Sequence, residues 1–553
     1  MRPVKRFFGI AAAVTISAMA LAGCSDGGTT VNGGSGGTVP SVLSIMANTV
    51  PSYQRNFNPF SPSVNLGTVG FVYEPLILNS PAQAQGIPWL ATALAWSNGG
   101  RTATFTIRDG VKWSDGKPFT AEDVAFSFNL LVTSPATNIT ALPISNATAS
   151  GNTVTVNLSQ VGYAYEQALG NFTPVPKHLW ASQDATKWTN PTPIGTGPYT
   201  LGAFSTQLVT YAKSKSYWQA DKIKVDKIEY PVATPETFVS NLGAGKYDWA
   251  GGFVPNIDKL FVNKDPKHNK YWFPGDSLTN LVMNVQKAPF NDVNLRKAIS
   301  LAVDRNELAK VAELGYVPIA NPTGLVLPAM QSYMDPQYAN AKFTYNVSEA
   351  NSILDSAGYT KGPDGIRVSP DGKKLSFDIT IPSGYTDWVT MAKLLQTQLQ
   401  KVGIQANPQG VSSTSWSNEL HAGTFQMSFY YPGIGTGPYD LYRSFMSKEL
   451  SAPAGQSATL NYGRWEDPQT EKYLAAYGNT GDKAAQKAAI QGLEGIVVNQ
   501  LPSIPLLQGA NWDEYRTANF TGWPDAQNPY ALGAPYQFPD NLLVITHLTP
   551  VKK

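Results

Sequence analysis

Cysteine occurs once in this 553-residue sequence, at position 24. A chain with a single cysteine cannot close a disulfide within itself, so burial of apolar side chains must stabilise its fold. The part of the chain beyond residue 39 is longer than one hydrophobic core usually organises. The sequence therefore predicts a protein of two or more domains, each held together by packing alone.

The residues before Cys24 have the organisation of a secretion signal. A basic start is followed by an apolar core over 7–20, shorter than the roughly 20 residues that a membrane-spanning helix needs. The four residues that end at Cys24, Leu-Ala-Gly-Cys, resemble the lipobox of bacterial lipoproteins. That resemblance implies a signal peptide over 1–23, lipidation of Cys24 and a position at the extracytoplasmic face of the cell membrane. The alternative is an ordinary cleavage site with an incidental cysteine.

The residues that follow favour a tether. Residues 24–39 are mostly Gly, Ser, Thr and Asn, which cannot bury enough apolar surface to order themselves. Removing 1–23 takes away basic residues and no acidic one, so the net charge of +2 becomes slightly negative. Nucleic-acid binding needs a basic face and is not expected. No later run of roughly 18 apolar residues predicts another membrane crossing.

The secondary structure predicted from the sequence mixes strands and helices without a repeat. Alternating apolar and polar residues indicate half-buried strands, and Thr120 with Asp123 resembles a capping box. Asp292 is expected to cap a helix and Gly403 to end one. The predicted elements are strands over 103–107, over 153–158 and from 404, and helices over 121–131, 293–314 and 388–402. The chain is thus predicted to be mixed α/β.

Several short segments match the order and spacing of one known family. Taken one by one, these segments can be explained by structure alone, because most are turns, strand ends or capped helices. The segments are Asn58-Pro59-Phe60, Val72-Tyr73-Glu74-Pro75-Leu76, 107–116, 120–124, Gly195-Thr196-Gly197-Pro198-Tyr199, 289–292, 295–299, 302–305 and Gly403-Ile404. Together they resemble the extracytoplasmic solute-binding proteins of family 5, the peptide, nickel and oligosaccharide receptors of ABC importers.

The resemblance implies an α/β, periplasmic-binding-protein-like two-lobed fold (type II, cluster C) with an extra subdomain in the larger lobe. Closure of the lobes on a ligand uses differential affinity for the closed form. The implied partners are ABC permease subunits with a cytoplasmic ATPase, and the receptor is expected to be a monomer. The expected boundaries are 1–23 for the signal peptide, 24–39 for the tether, 40–60, 191–275 and 505–553 for lobe I, 61–190 for its subdomain, and 276–504 for lobe II.

The resemblance leaves the ligand open between an oligopeptide and a short oligosaccharide. Peptide-binding members hold the free amino terminus with an aspartate, because a buried ammonium needs a paired charge. The matching region, 425–440, is rich in aromatics and glycine, and its only acid, Asp440, falls a few residues late. Segments near the carboxyl terminus, 511–515, 522–525 and 528–531, are similar to members that bind β-linked oligosaccharides, as are residues 56–60.

The candidate ligand contacts are amide, carboxylate and aromatic side chains. Rings of Trp and Tyr can lie on the apolar faces of sugars, while amides and carboxylates bond hydroxyls. For each aromatic the alternative is core packing or loop anchoring. The predicted ligand-binding residues are Asn56, Trp416, Tyr430, Tyr431, Asp440, Trp512, Tyr515 and Trp523.

Catalytic and metal motifs have little support in this sequence. The histidines at 178, 268, 421 and 547 are scattered without zinc spacing. Two Gly-x-Ser-x-Gly strings lie across the cleavage site and in the tether, where no nucleophile elbow can form. We therefore expect no catalytic residue, no metal site and no cofactor, which makes a nickel or haem receptor the less favoured variant. The rival hypotheses are a lipid-anchored secreted hydrolase and a surface sensor or chaperone of the same fold.

Overall fold

The computed structural model describes residues 41–552, apart from 48, 84 and 433–436. The predicted signal peptide, the lipidation site Cys24 and the tether lie outside the described residues. Within the described part of the chain, no helix has the length and hydropathy that a membrane span requires.

The strands of the described residues are numbered β1 to β22 along the chain. They are Val42–Met46, Ile77–Leu78, Ile87–Pro88, Ala91–Ser97, Thr102–Ile107, Ile144–Ser150, Thr153–Leu158, Tyr199–Phe204, Leu208–Lys213, Lys227–Pro231, Trp249–Ala250, Asn269–Tyr271, Gly275–Met283, Thr360–Lys361, Arg367–Val368, Ser376–Pro382, Gln405–Val411, Met427–Tyr430, Ile504–Ala510, Glu514–Arg516, Phe520–Thr521 and Thr549–Pro550.

The α-helices of the same residues are numbered α1 to α14. They are Ala121–Thr133, Glu166–Gly170, Lys177–Trp180, Pro235–Gly243, Ile257–Leu260, Val293–Ala302, Arg305–Glu307, Val347–Ser356, Thr386–Gln400, Ser413–Ala422, Pro438–Met446, Pro468–Gly478, Lys483–Gln500 and Asp540–His547.

Three larger sheets organise these elements. A seven-stranded mixed sheet has the order β12-β20-β11-β1-β10-β9-β8, and a five-stranded mixed sheet has the order β17-β16-β18-β13-β19. A four-stranded antiparallel sheet, β4-β5-β7-β6, is covered by α1. The buried side chains of the seven- and four-stranded sheets form one continuous core, and the five-stranded sheet has a core of its own. The two large sheets are therefore the centres of two separately packed bodies.

Local sequence signals account for several of these elements. The predicted strands over 103–107 and 153–158 are β5 and β7. The carboxylate of Asp123 accepts hydrogen bonds from the backbone N–H and the hydroxyl of Thr120, both at 3.0 Å, which fixes the start of α1. Gly403 has φ +76°, a conformation that favours glycine, so the chain turns there from α9 into β17.

The predicted helix over 293–314 was wrong in one respect, because it is interrupted. Its first part, α6, ends before Val303, whose backbone is extended at φ −93° and ψ 114°. Asp304 is also extended, and its carboxylate accepts hydrogen bonds from the N–H groups two and three residues further on. A β-branched residue followed by a capping side chain thus starts a new turn instead of continuing the old one.

A buried glutamate stabilises the junction between the seven-stranded sheet and its four-stranded neighbour. Glu74 has no exposed surface. Its carboxyl group accepts hydrogen bonds from Trp89 Nε1 at 2.6 Å, Tyr217 Oη at 2.7 Å and Trp218 Nε1 at 3.2 Å. The segment around Glu74 that resembles the family is therefore structural, because all of these bonds go to groups of the protein itself.

Candidate functional site

Two neighbouring segments carry the chain between the large sheets. One leaves β12 and enters β13, and the other leaves β19 and enters β20. The segments are bonded to each other: Trp272 N donates to Asp513 O at 3.0 Å, and Asn511 N donates to Pro274 O at 2.8 Å. This pair of crossing segments is the place where the two bodies join.

A cavity of about 480 Å³ lies beside the crossing segments, and we call it the cleft. Residues from both bodies line it, so a molecule bound there would touch both. The lining residues are Phe253, Ser277, Thr279, Glu313, Val317, Gly384, Tyr385, Thr386, Asp387, Tyr431, Gln508, Gly509, Ala510, Trp512 and Tyr536. Its volume is in the range typical of small-ligand sites.

Exposed aromatic rings form much of the cleft wall. Phe253, Tyr385 and Tyr431 are 36%, 41% and 40% exposed, unusually high values for large apolar side chains in this protein. Neighbouring rings hold them in place: Phe253 lies edge-on to Trp512 at 5.6 Å between centroids, and Tyr431 lies against Trp388 at 4.7 Å. The rings are thus available to a ligand and already oriented, which limits the entropy lost on binding.

Two of the predicted ligand-binding residues meet in the cleft. Tyr431 reaches it from the segment after β18, and Trp512 from a crossing segment. Trp416, a third candidate, lies behind the wall. Its ring is 5.7 Å from that of Trp388, and its Nε1 donates to Ser428 Oγ at 3.0 Å, so it supports the wall instead of forming it.

Three predicted contacts are core residues. Tyr515 and Trp523 are each 6% exposed and stack on one another at 5.4 Å. Tyr430 is 7% exposed and packs edge-on against Tyr462 at 4.8 Å. The structure does not support ligand contact for these three, because their rings are covered by other parts of the protein.

The two polar candidates also lie away from the cleft lining. Asn56 stabilises its own loop: its Nδ2 donates to Ser61 Oγ at 2.9 Å and Ser63 Oγ at 3.1 Å, and its Oδ1 accepts from Asn58 N at 3.1 Å. Asp440 is partly exposed in the first turn of α11, where a carboxylate favours the helix N-terminus. Residues 433–436, in the stretch matched to peptide-binding members, lie outside the described residues.

Two acidic residues of the cleft were not among the sequence candidates. Glu313 is 6% exposed, and burial raises its pKa to about 8, with a further contribution from the charge of Asp387. Burial also raises the pKa of Asp387, although the backbone N–H of Trp388 opposes the rise. The sequence interpretation had placed Glu313 near the end of a long helix, where an acid is usually solvated.

A second cavity of about 420 Å³ borders the same crossing segment at Trp272, Pro274 and Gly275. Its other walls include Gln83, Met330 and Tyr333, so it also lies between parts of both bodies.

The described residues include no group of three or more His, Cys, Asp or Glu placed to hold a metal ion. Three histidines illustrate why they are not grouped, because each has a separate local partner. His178 Nε2 lies 2.8 Å from Asp115 Oδ2, His268 Nδ1 lies 3.0 Å from Asp265 Oδ1, and His421 Nδ1 lies 2.7 Å from Ala458 O.

Sequence comparisons agree on one family. A family model described as bacterial extracellular solute-binding proteins, family 5 Middle, matches residues 85–452. The oligopeptide-binding protein OppA of Bacillus subtilis (strain 168) is 24% identical over 551 residues, which cover 91% of this chain and 94% of that protein. The nickel-binding periplasmic protein of Escherichia coli (strain K12) is 26% identical over 453 residues, which cover 78% and 83%.

Solved structures have the same architecture. The periplasmic oligopeptide-binding protein of an ABC transporter from Thermotoga maritima matches with a TM-score of 0.84 at 25% identity, covering 92% of this chain and 99% of that one. Its mannohexaose-bound form matches with a TM-score of 0.75 at 25% identity, covering 93% and 99%. The expected two-lobed, periplasmic-binding-protein-like fold is confirmed. Since the family model matches more than half of its residues, this chain belongs to the bacterial extracellular solute-binding proteins of family 5.

Proposed function

We propose that this protein is the extracytoplasmic substrate-binding component of an ABC importer. It captures an oligopeptide or a short oligosaccharide in the cleft and presents the loaded form to membrane permease subunits served by a cytoplasmic ATPase. The observation that carries the proposal is the cleft itself, whose walls come from both bodies beside the paired crossing segments. A ligand touching both walls stabilises the closed form by its differential affinity for that form.

The two ligand classes both have support from related proteins. One relative is named as an oligopeptide-binding protein, and a similar structure from Thermotoga maritima contains mannohexaose. The partly exposed rings of Tyr385, Tyr431 and Trp512 suit either an apolar peptide side chain or a sugar face. The two named relatives are likewise described as binding proteins.

The proposal extends to the parts of the chain outside the described residues. Cys24 carries a lipid, residues 24–39 tether the receptor to the extracytoplasmic face of the membrane, and the receptor acts as a monomer. Lobe I comprises 40–60, 191–275 and 505–553, with its subdomain at 61–190 and lobe II at 276–504. A Cys24→Ala variant is expected to appear in the soluble fraction while the purified mature protein keeps its ligand affinity.

A thermal-shift screen of the purified mature protein against oligopeptides and cello-, xylo- and manno-oligosaccharides tests the function. A ligand at 100 times its Kd adds about 2.7 kcal/mol to the free energy of unfolding. Chromatography of the same mixtures detects any cleavage. Stabilisation without cleavage supports the receptor, whereas cleavage products would assign the chain to the hydrolases. A screen in which no compound of either class stabilises the protein would overturn the proposal.

A further inference from the structure

Glu313 is a largely buried acidic residue whose carboxyl group has no partner among the described residues. Its side chain lines the cleft and is 6% exposed. Among the described residues, none forms a hydrogen bond or an ion pair with its carboxyl group; the rest of its surroundings are the cleft and the neighbouring Asp387. Its carboxyl group therefore meets only what fills the cleft, and holding it in a largely buried position without a protein partner carries a free-energy cost.

The described lining of the cleft contains acidic but no basic side chains. Asp387 brings a second carboxyl group, and no Lys, Arg or His is among the described residues that line the cavity. The position of Asp387 has a structural explanation, since it lies in the first turn of α9, where a negative charge interacts favourably with the helix dipole. Glu313 lies on no helix N-terminus and has no such explanation.

We propose that Glu313 and Asp387 form a subsite for a positively charged amino group of the imported ligand. The proposal rests on the proposed receptor function and narrows its ligand class to oligomers that carry an ammonium group, such as a peptide amine or an amino sugar. The ammonium lies between the two carboxylates, and its hydrogen atoms replace the missing donors of Glu313.

The aromatic wall fits the same ligand group. Tyr385 and Tyr431 line the cleft together with the two acids, and their exposed ring faces attract cations through the ring quadrupole. Burial raises the pKa of Glu313 to about 8, so without a cation this group keeps its proton at neutral pH. A neutral ligand leaves that proton in place, while a cationic ligand displaces it and gains a charge-assisted contact.

Matched ligand pairs test the subsite by isothermal titration calorimetry. The first pair is an oligopeptide amide with neutral side chains, prepared once with a free and once with an acetylated amino terminus. The other is β-1,4-linked glucosamine oligomers against glucose oligomers of equal length. We expect the cationic member of the binding class to bind at least about ten-fold more tightly. Glu313→Gln is expected to reduce the ratio of the two affinities to about one.

Two further variants keep the test interpretable. Asp387→Asn changes a partly exposed position and should also reduce the preference for the cationic ligand. It replaces Glu313→Gln in the test if that variant does not fold. Glu122→Gln alters a surface glutamate of α1, 71% exposed, and should leave every affinity unchanged. Equal binding of charged and neutral members to the wild type overturns the subsite but not the receptor function. Failure of all compounds to bind, here and in the thermal screen, removes both.

Discussion

Glu74 and Glu313 are both buried, yet their surroundings differ completely. Glu74 accepts hydrogen bonds from three side chains, whereas Glu313 accepts none from the described residues. At Glu74 the protein itself compensates the cost of burying a carboxyl group, as expected of a residue that stabilises a fold. At Glu313 the described residues supply no such compensation, which is the arrangement that we propose for a residue that contacts a ligand. Burial alone therefore does not distinguish a core residue from a site residue, whereas the hydrogen-bond partners of the side chain do.

The same contrast separates two tryptophans that the sequence interpretation treated alike. Trp523 is 6% exposed, lies between Tyr515 and Trp249 and donates its Nε1 to Phe520 O at 3.0 Å. Trp512 is only partly buried and presents its ring to the cleft. The ring of Trp523 is enclosed by other side chains of the protein, whereas the ring of Trp512 borders the cleft.

The tryptophan pair gives the largest expected effect. Trp523→Ala removes a fully packed ring and should lower the free energy of unfolding by about 3–5 kcal/mol. Trp512→Ala should cost less stability and instead weaken ligand binding by roughly 1–3 kcal/mol, the lost burial of one ring. Urea denaturation and calorimetry measure the two quantities. Equal stability losses in both variants would erase the distinction between core and cleft.

The next effect concerns pH. Burial raises the pKa of Glu74 from 4.5 to about 7, although hydrogen bonds from Tyr217 and Trp89 oppose the rise. The folded state therefore holds a proton that the unfolded state releases between these values. The stability from this group is complete below pH 4.5 and falls by about 3 kcal/mol as the pH rises to 7.

Denaturation curves of the wild type and of Glu74→Gln between pH 4.5 and 8 measure this contribution as the difference between the two variants. The subtraction is needed because burial also raises the pKa of other carboxyls, among them Asp540 and Glu494. Parallel stability curves for the two proteins would show that Glu74 does not titrate in this range.

At constant neutral pH, Glu74→Gln should lower the free energy of unfolding by about 1–3 kcal/mol, because a side-chain amide has one acceptor oxygen where three donors converge. The affected donors are those of Trp89, Tyr217 and Trp218. Tryptophan fluorescence during denaturation is a direct measurement. A loss below the experimental error would mean that the three donors find other acceptors.

The smallest expected effect is that of Glu313→Gln on stability. No partner among the described residues is lost, and a buried ionisable group is replaced by a neutral one of similar shape. The free energy of unfolding should change by less than about 1 kcal/mol, and we expect the change to be an increase. A loss as large as that of Glu74→Gln would show that Glu313 stabilises the core and would contradict the difference drawn between the two glutamates.

Local patterns predicted much of the fold. Alternation identified β5 and β7, and Gly403 marked the end of α9, because these signals depend on neighbours in sequence. The long helix was predicted wrongly where Val303 and Asp304 interrupt it. The family resemblance, carried by turn and cap residues, supplied the two-lobed arrangement, which is confirmed.

The site was less accessible to sequence reasoning. Residue type led to Tyr431 and Trp512, but it led equally to Tyr515 and Trp523, because ring chemistry is the same in a core and in a cleft. Glu313 gave no signal, since its burial depends on long-range packing of its segment against α9, which carries Asp387. Long-range packing, which a single sequence does not display, decided every one of these cases.

The bonded pair of crossing segments also has a mechanical meaning. A single connecting segment would let one body rotate about the chain, whereas two segments bonded side by side, as at Trp272 and Asp513, form a two-stranded ribbon. A ribbon bends easily across its face and resists both twisting and bending in its own plane. We expect such a ribbon to favour one direction of movement of the two cleft walls, which carry Tyr431 and Trp512.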